Sequence, residues 1–203
     1  MKKIPIMIFS MLFVLILNTI TTEAMNFSRG EHLSPSSKKP IIVNLNDGKL
    51  TLMSNRNRSV NGIVIIYQGY KSQSKQTMTL NDWGDFSIIE INGYDPAMKL
   101  IEIKLGRGHL DATYGYWLLG EKDGKLITYM TLDNLKNMGF YSTEDGNDVA
   151  RVKSIIKDGE YILTFDHEVS GEYGYQRTFP IDAQIKVDWD EQAQWFSLTN
   201  VQI

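Results

Sequence analysis

Short apolar runs in which hydrophobic and polar residues alternate recur along most of the chain. In segments 101–105 (IEIKL) and 185–189 (IKVDW) every second residue is apolar. Alternation with a period of two places apolar side chains on one face of a β-strand and polar side chains on the other. The runs predict strands at 41–46, 49–54, 62–67, 75–80, 85–91, 99–105, 113–119, 125–131, 150–157, 160–166, 177–179, 183–189 and 195–200.

Three Asp-Gly pairs separate neighbouring runs, at Asp47-Gly48, Asp123-Gly124 and Asp158-Gly159. A two-residue type I′ turn needs a positive φ at both positions, which Asp tolerates and Gly favours. Each pair therefore predicts a tight hairpin, and hairpins join antiparallel strands.

One segment departs from the strand pattern. Leu132, Leu135 and Met138 are spaced by three, and Gly139 follows where a helix would end, so one or two helical turns are predicted. The fold class is all-β: an antiparallel sandwich or barrel-like domain with at most one short helix. A few-bladed propeller-like arrangement is the alternative, although the Asp-Gly turns show no constant period.

The N-terminal residues have the layout of a secretory signal peptide. Lys2 and Lys3 precede an apolar run, and Thr22 and Ala24 place small residues before a cleavage site. We therefore expect a signal peptide at 1–24, a flexible lead-in rich in Ser, Lys and Pro at 25–40, and a single all-β domain at 41–203. The expected location is periplasmic or secreted.

Composition narrows the function classes. The chain has no cysteine, which excludes thiol catalysis and zinc–cysteine sites, and an exported chain without disulfides is typical of a bacterial envelope protein. The net charge of −3 becomes −4 without residues 1–24, so the domain as a whole lacks the basic character of a nucleic-acid-binding protein.

A Tyr-Gly-Tyr triplet occurs twice, and its aromatic residues are the candidate ligand-binding residues. Tyrosine and tryptophan beside a small glycine can form a surface for a sugar ring or a partner side chain. The alternative is packing, because aromatic rings commonly cover a strand glycine. In the C-terminal hairpin Trp189 and Phe196 are expected in the core and Trp195 on the surface. The candidates are Tyr114, Tyr116, Trp117, Tyr173 and Tyr175.

No catalytic, metal or cofactor site is predicted. The three histidines have no metal-ligand spacing, no serine lies in Gly-x-Ser-x-Gly, and the acidic turn 144–148 lacks the EF-hand register. Calcium at the acidic turns and at Asp182, Asp188 and Asp190 is left open. Glycoside hydrolysis would need two carboxylates at a set separation, which the sequence does not fix. The glutamates available for such a pair are Glu90, Glu102, Glu160, Glu168 and Glu172.

These observations favour an exported, non-enzymatic binding protein of the bacterial envelope, such as an inhibitor or immunity-type protein that occludes a partner protein. The alternatives are a carbohydrate-binding module and a hydrolase with a carboxylate pair. The expected partner is another envelope or secreted protein, or a polysaccharide. We expect no nucleic acid and no membrane span after signal removal.

Overall fold

The computed structural model describes residues 25–36, 38–57, 60–71, 75–81, 84–106, 113–139, 150–167 and 181–201. These residues form thirteen strands and one short helix. The strands are β1 (Asn26–Leu33), β2 (Ile41–Asn44), β3 (Gly48–Asn57), β4 (Val60–Gly69), β5 (Lys75–Leu80), β6 (Gly84–Asn92), β7 (Met98–Gly106), β8 (Thr113–Lys122), β9 (Lys125–Thr131), β10 (Ala150–Lys157), β11 (Glu160–His167), β12 (Ile181–Asp190) and β13 (Trp195–Val201), and the helix is α1 (Leu132–Asn137).

The strands form three antiparallel sheets, none of which closes into a barrel. The central sheet has the order β1-β6-β7-β8-β9, the N-terminal sheet β2-β3-β4-β5, and the C-terminal sheet β10-β11-β12-β13. The prediction of an all-β antiparallel fold with one short helix is confirmed. Within the described residues, no helix has the length and apolar character needed to cross a bilayer.

The central sheet is buried on both faces. On β6, Phe86 and Ile88 belong to the hydrophobic cluster shared with the N-terminal sheet, while Ile89 and Ile91 belong to the cluster shared with the C-terminal sheet. The sheets are therefore stacked in three layers, a sandwich arrangement rather than a ring of blades around a channel. Burial on both faces explains why β6 and β7 carry apolar residues at adjacent positions.

The prediction of a flexible lead-in at 25–40 is wrong for Asn26–Leu33, which pair with β6 at the edge of the central sheet. Phe27 and Leu33 are both buried, but in different clusters. An irregularity between Arg29 and His32 shifts the register, so two residues an even number apart point to opposite faces. This bulge removed the alternation by which a strand is recognised in the sequence.

Two of the three predicted type I′ turns are confirmed. Asp123 and Gly124 have φ of 53° and 67°, and Asp158 and Gly159 have φ of 53° and 80°. The hairpin predicted at Asp47-Gly48 is present, since β2 and β3 pair antiparallel, but the predicted type I′ turn is wrong because Asp47 and Gly48 lack a positive φ and the β2–β3 loop is longer. Gly48 is needed for space instead: a Cβ there would lie 2.5 Å from Cε2 of the buried Tyr67 ring.

The predicted helical turn is confirmed as α1. Thr131 caps its first turn, because the Thr131 hydroxyl accepts a hydrogen bond of 3.1 Å from the Asn134 backbone N–H. Gly139, at φ 77°, follows its end as predicted. Residues 1–24 and the predicted strand 177–179 lie outside the described residues.

Candidate binding site

The structure places Tyr116 in the core rather than on a recognition surface. Its side chain is fully buried between the central and C-terminal sheets, and its hydroxyl is hydrogen-bonded to that of Tyr161. The prediction that Tyr116 contributes to an exposed binding surface is therefore wrong. The physical reason is that the C-terminal sheet covers this face of β8, and sequence alone did not indicate which face would be covered.

Trp117 lies on the opposite face of β8 and is half-buried against the cluster shared with the N-terminal sheet. Its ring covers Gly115, since a Cβ at Gly115 would lie 2.4 Å from the Trp117 ring. The space that the glycine leaves is thus filled by the chain itself, as the packing alternative anticipated. Tyr173, Tyr175 and the side chain of Tyr114 lie outside the described residues, so their role in binding stays a prediction.

A different aromatic feature is open to solvent. We call it the apolar groove: a cavity of about 500 Å³ between β9, α1 and β13, lined by Thr128, Tyr129, Met130, Asn134, Leu135, Met138, Trp195, Phe196 and Leu198. Its size is within the range of sites that accept a small molecule or several side chains.

The floor and the rim of the groove are built differently. Tyr129, Leu135 and Phe196 are buried members of the core cluster and form a fixed floor. Met138 follows α1 directly and is 64% exposed, while Trp195, the first residue of β13, is 40% exposed. The rim therefore presents two large apolar side chains to solvent, and the exposure predicted for Trp195 is confirmed.

Trp195 is held in place by neighbours on two sides. Its ring centroid lies 4.9 Å from that of Tyr129, and the Lys122 Nζ lies 5.9 Å from the Trp195 ring centroid. The Tyr129 hydroxyl donates to the Glu121 carbonyl at 3.2 Å, and burial, with smaller effects of Asp123, Tyr94 and Glu121, raises the pKa of Tyr129 to about 12. The Tyr129 hydroxyl is thus neutral at physiological pH, and Trp195 rests against a fixed ring.

Among the residues that the structure describes, both strands that border the groove are the outermost strands of their sheets. β9 ends the central sheet, and β13 ends the C-terminal sheet. An outermost strand has backbone N–H and C=O groups without a strand partner on one side, and these can pair with an added strand. The groove therefore combines apolar contact area with a backbone template.

A second cavity, of about 260 Å³, is lined by charged as well as apolar residues. Its lining includes Asp47, Lys99, Glu121 and Asp123, where loops of the N-terminal and central sheets meet. Glu121 accepts hydrogen bonds from the buried Tyr67 hydroxyl and, at 2.8 Å, from the Asp47 backbone N–H. These contacts give Glu121 a role in joining the two sheets.

Glu102 is the one acidic side chain of the described residues that is buried in the core. It lies on the face of β7 that contacts the C-terminal sheet, and its Oε2 lies 2.8 Å from Arg29 Nη1 and 3.4 Å from Lys104 Nζ. Tyr161 donates to its Oε1 at 2.8 Å, and Arg29 Nη2 donates to Ser154 Oγ at 2.7 Å. These contacts link β1, β7, β10 and β11.

The pKa of Glu102 is lowered. Burial alone would raise it, but the Lys104 charge, a hydrogen bond from Ser154 and the Arg29 guanidinium together outweigh burial. A carboxylate held ionised in this way is unsuited to act as a general acid near neutral pH. Glu160 is also paired with a cation, at 3.0 Å from Lys186. Glu168 and Glu172 lie outside the described residues.

No group of three or more His, Asp or Glu side chains that could hold a metal ion occurs among the described residues. The carboxylate of Asp190 accepts hydrogen bonds from the backbone N–H groups of Gln192 and Ala193, each at 2.9 Å, so it caps the β12–β13 turn. His32 is exposed on β1. His109, the turn 144–148 and the side chains of Asp182 and His167 lie outside the described part of the chain.

Comparison of the chain with protein-family models, with curated proteins and with solved structures finds no match. The fold and the groove define an all-β protein of three stacked antiparallel sheets with an apolar groove at one open side.

Proposed function

We propose that this is a non-enzymatic binding protein that acts outside the cytoplasm, and that its apolar groove receives an extended segment of a partner protein. The observation that carries the proposal is the groove itself, with Trp195 and Met138 exposed above a fixed aromatic floor.

The exposed rim supports binding because apolar area is released from water when a partner covers it. Tryptophan concentrates binding energy at protein interfaces, and methionine adapts its shape to different partners. The contact of Trp195 with Tyr129 restricts its ring before binding, so little conformational entropy would be lost on association.

The position of the groove favours an extended peptide as the occupant. Because β9 and β13 are both outermost strands, a peptide between them can form backbone hydrogen bonds while one or two of its apolar side chains fill the groove. A partner held in this way would have that segment occluded, as expected of an inhibitor or immunity-type protein. Location outside the cytoplasm rests on the signal-peptide pattern of residues 1–24.

The test compares three forms of the immobilised protein: unaltered, Trp195→Ala and Ile155→Ser. Each is incubated with an extract of the cell envelope, and the affinity of each captured protein is then measured after purification. Ile155 is the matched control, since it is an exposed apolar residue on β10, the opposite edge of the C-terminal sheet. We expect Trp195→Ala to weaken the partner about 30-fold, the effect of losing a hot-spot residue, and Ile155→Ser to leave affinity unchanged.

Equal capture by the unaltered protein and by Trp195→Ala would contradict the proposal. Retention on a polysaccharide that depends on Trp195 would replace it by the carbohydrate-binding alternative. Turnover of a glycoside that is lost when a glutamate is changed to glutamine would replace it by the hydrolase alternative.

A further inference from the structure

The N-terminal sheet has one face on the central sheet and one face open to solvent. Leu50, Leu52, Ile63 and Ile65 are completely buried on the inner side. We call the other side the outer face. Its exposed members include Ile42, Gln68, Lys75, Thr77 and Thr79.

The charge of this part of the chain is opposite to that of the rest. Residues 41–80 contain five basic side chains and one acidic, whereas the remaining residues contain 16 basic and 23 acidic. The single acidic residue, Asp47, lies 3.6 Å from Lys71 in an exposed ion pair. Lys49 and Lys75 form no ion pair with any residue that the structure describes, so their charges are available to a partner.

Strand register arranges the outer face in rows. Lys49, Gln68 and Lys75 are cross-strand neighbours on β3, β4 and β5, and they form a polar, basic row. The next row on the same face, two positions away on each strand, consists of Thr51, Ile66 and Thr77. Ile42 of β2 extends this row, because it pairs with Thr51. A basic row therefore lies directly beside an apolar and threonine-rich row on one face of the sheet.

Two exposed side chains with large apolar parts border this surface: Ile42 lies on β2, and Tyr70 directly follows β4. Ile42 is 60% exposed and Tyr70 is 53% exposed. The Tyr70 hydroxyl donates to Asn44 Oδ1 at 3.3 Å, which places the ring beside the basic row. Tyrosine with one apolar and one polar end is favoured at the boundary between lipid and water.

We propose that the outer face of the N-terminal sheet is a peripheral binding site for a bilayer surface rich in anionic lipids. Lys49 and Lys75 pair with headgroup phosphates through long side chains, while Ile42 and Tyr70 enter the boundary between headgroups and acyl chains. The site is separate from the apolar groove, because it shares no strand with β9, α1 or β13, and it stands whether or not the proposed function holds.

Charge complementarity selects an anionic partner, and the shape of the face selects lipid among anionic partners. Four strands spaced by about 4.8 Å make a broad sheet face rather than a cleft for one acidic peptide. Single-stranded nucleic acid is bound through several stacked aromatic rings, whereas Tyr70 is the only aromatic side chain that the described residues place on this face.

The test measures co-sedimentation with vesicles of phosphatidylcholine alone and of phosphatidylcholine mixed with phosphatidylglycerol. Lys49→Gln with Lys75→Gln is compared with Lys125→Gln plus Lys157→Gln, a pair with the same charge change at exposed lysines of the other two sheets. All forms are measured without residues 1–24, because the apolar run in that segment would itself bind vesicles of either composition. Circular dichroism confirms that each form is folded.

We expect binding to the mixed vesicles only, and a loss of about fivefold per outer-face lysine and about 25-fold for the pair. The control pair should bind like the unaltered protein, and Ile42→Ser should bind more weakly. Equal loss in both lysine pairs, no binding to mixed vesicles, or tighter binding to a short DNA strand or an acidic peptide than to the vesicles would overturn the proposal.

Discussion

The hydroxyl groups of Tyr116 and Tyr161 offer a sharp test of the buried cluster around Glu102. Because the ionised Glu102 can only accept, the Tyr161 proton is donated to Glu102, and Tyr116 must then donate to the Tyr161 oxygen. The two hydroxyls thus form a directed chain that ends on a charge. Replacing either tyrosine by phenylalanine removes one oxygen and changes little of the packing.

The direction of the chain sets the relative cost of the two substitutions. Tyr161→Phe removes a hydrogen bond to a charged group, worth about 1.5–3 kcal/mol, and leaves the Tyr116 hydroxyl without a buried acceptor. Tyr116→Phe removes a bond between neutral groups, worth about 0.5–1.5 kcal/mol. We therefore expect Tyr161→Phe to be the more destabilising, and the double variant to cost less than the two single costs added together.

Urea unfolding followed by circular dichroism measures all four forms under the same conditions. Constant slopes of the transitions would show that the changes are in stability alone. A larger cost for Tyr116→Phe than for Tyr161→Phe would refute the assigned direction. Additive costs would refute the statement that the two hydroxyls act as one chain.

The remaining predictions concern Glu102 and two glycines. Because folding lowers the pKa of Glu102 from 4.5, the stability that it contributes is present above that value and is lost as the pH falls through the folded pKa. The free energy of unfolding should therefore fall less steeply with decreasing pH for Glu102→Gln than for the unaltered protein. An unchanged pH dependence would contradict the lowered pKa of Glu102. Gly48→Ala should cost about 1–3 kcal/mol through a clash with the Tyr67 ring, and Gly124→Ala about 1–2 kcal/mol through its positive φ. Asparagine tolerates that φ, so Gly124→Asn should recover stability in thermal melts while Gly48→Asn should not; the reverse order would refute the distinction.

Much of the fold followed from local sequence patterns. The strands at Lys75–Leu80, Lys125–Thr131 and Ala150–Lys157 have the predicted bounds, because alternation and turn residues act within a few positions of the chain. β1 was missed because its bulge breaks the alternation and its pairing partner lies more than fifty residues away. The stacking of three sheets was not predictable, since no local signal states which faces meet.

The site was predictable only in part. The exposure of Trp195 followed from alternation with the buried Phe196, but Tyr116 presents the same local pattern and is buried. The groove arises where β9, α1 and β13 meet, and residues 128 and 198 of its lining are far apart in the chain. Such sites depend on tertiary contacts, which a single sequence does not reveal.

The position of β1 has a consequence for the order of folding. The strands of the N-terminal sheet, and likewise those of the C-terminal sheet, are consecutive in the chain, so their pairings are closer in sequence than the pairing of β1 with β6 and are expected to form early. The four strands of the N-terminal sheet lie between β1 and β6 in the chain, so the pairing of β1 with β6 closes a long loop. It is therefore expected to dock late. If the N-terminus of the chain were restrained, the N-terminal and C-terminal sheets could therefore form while the β6 edge of the central sheet still lacked β1.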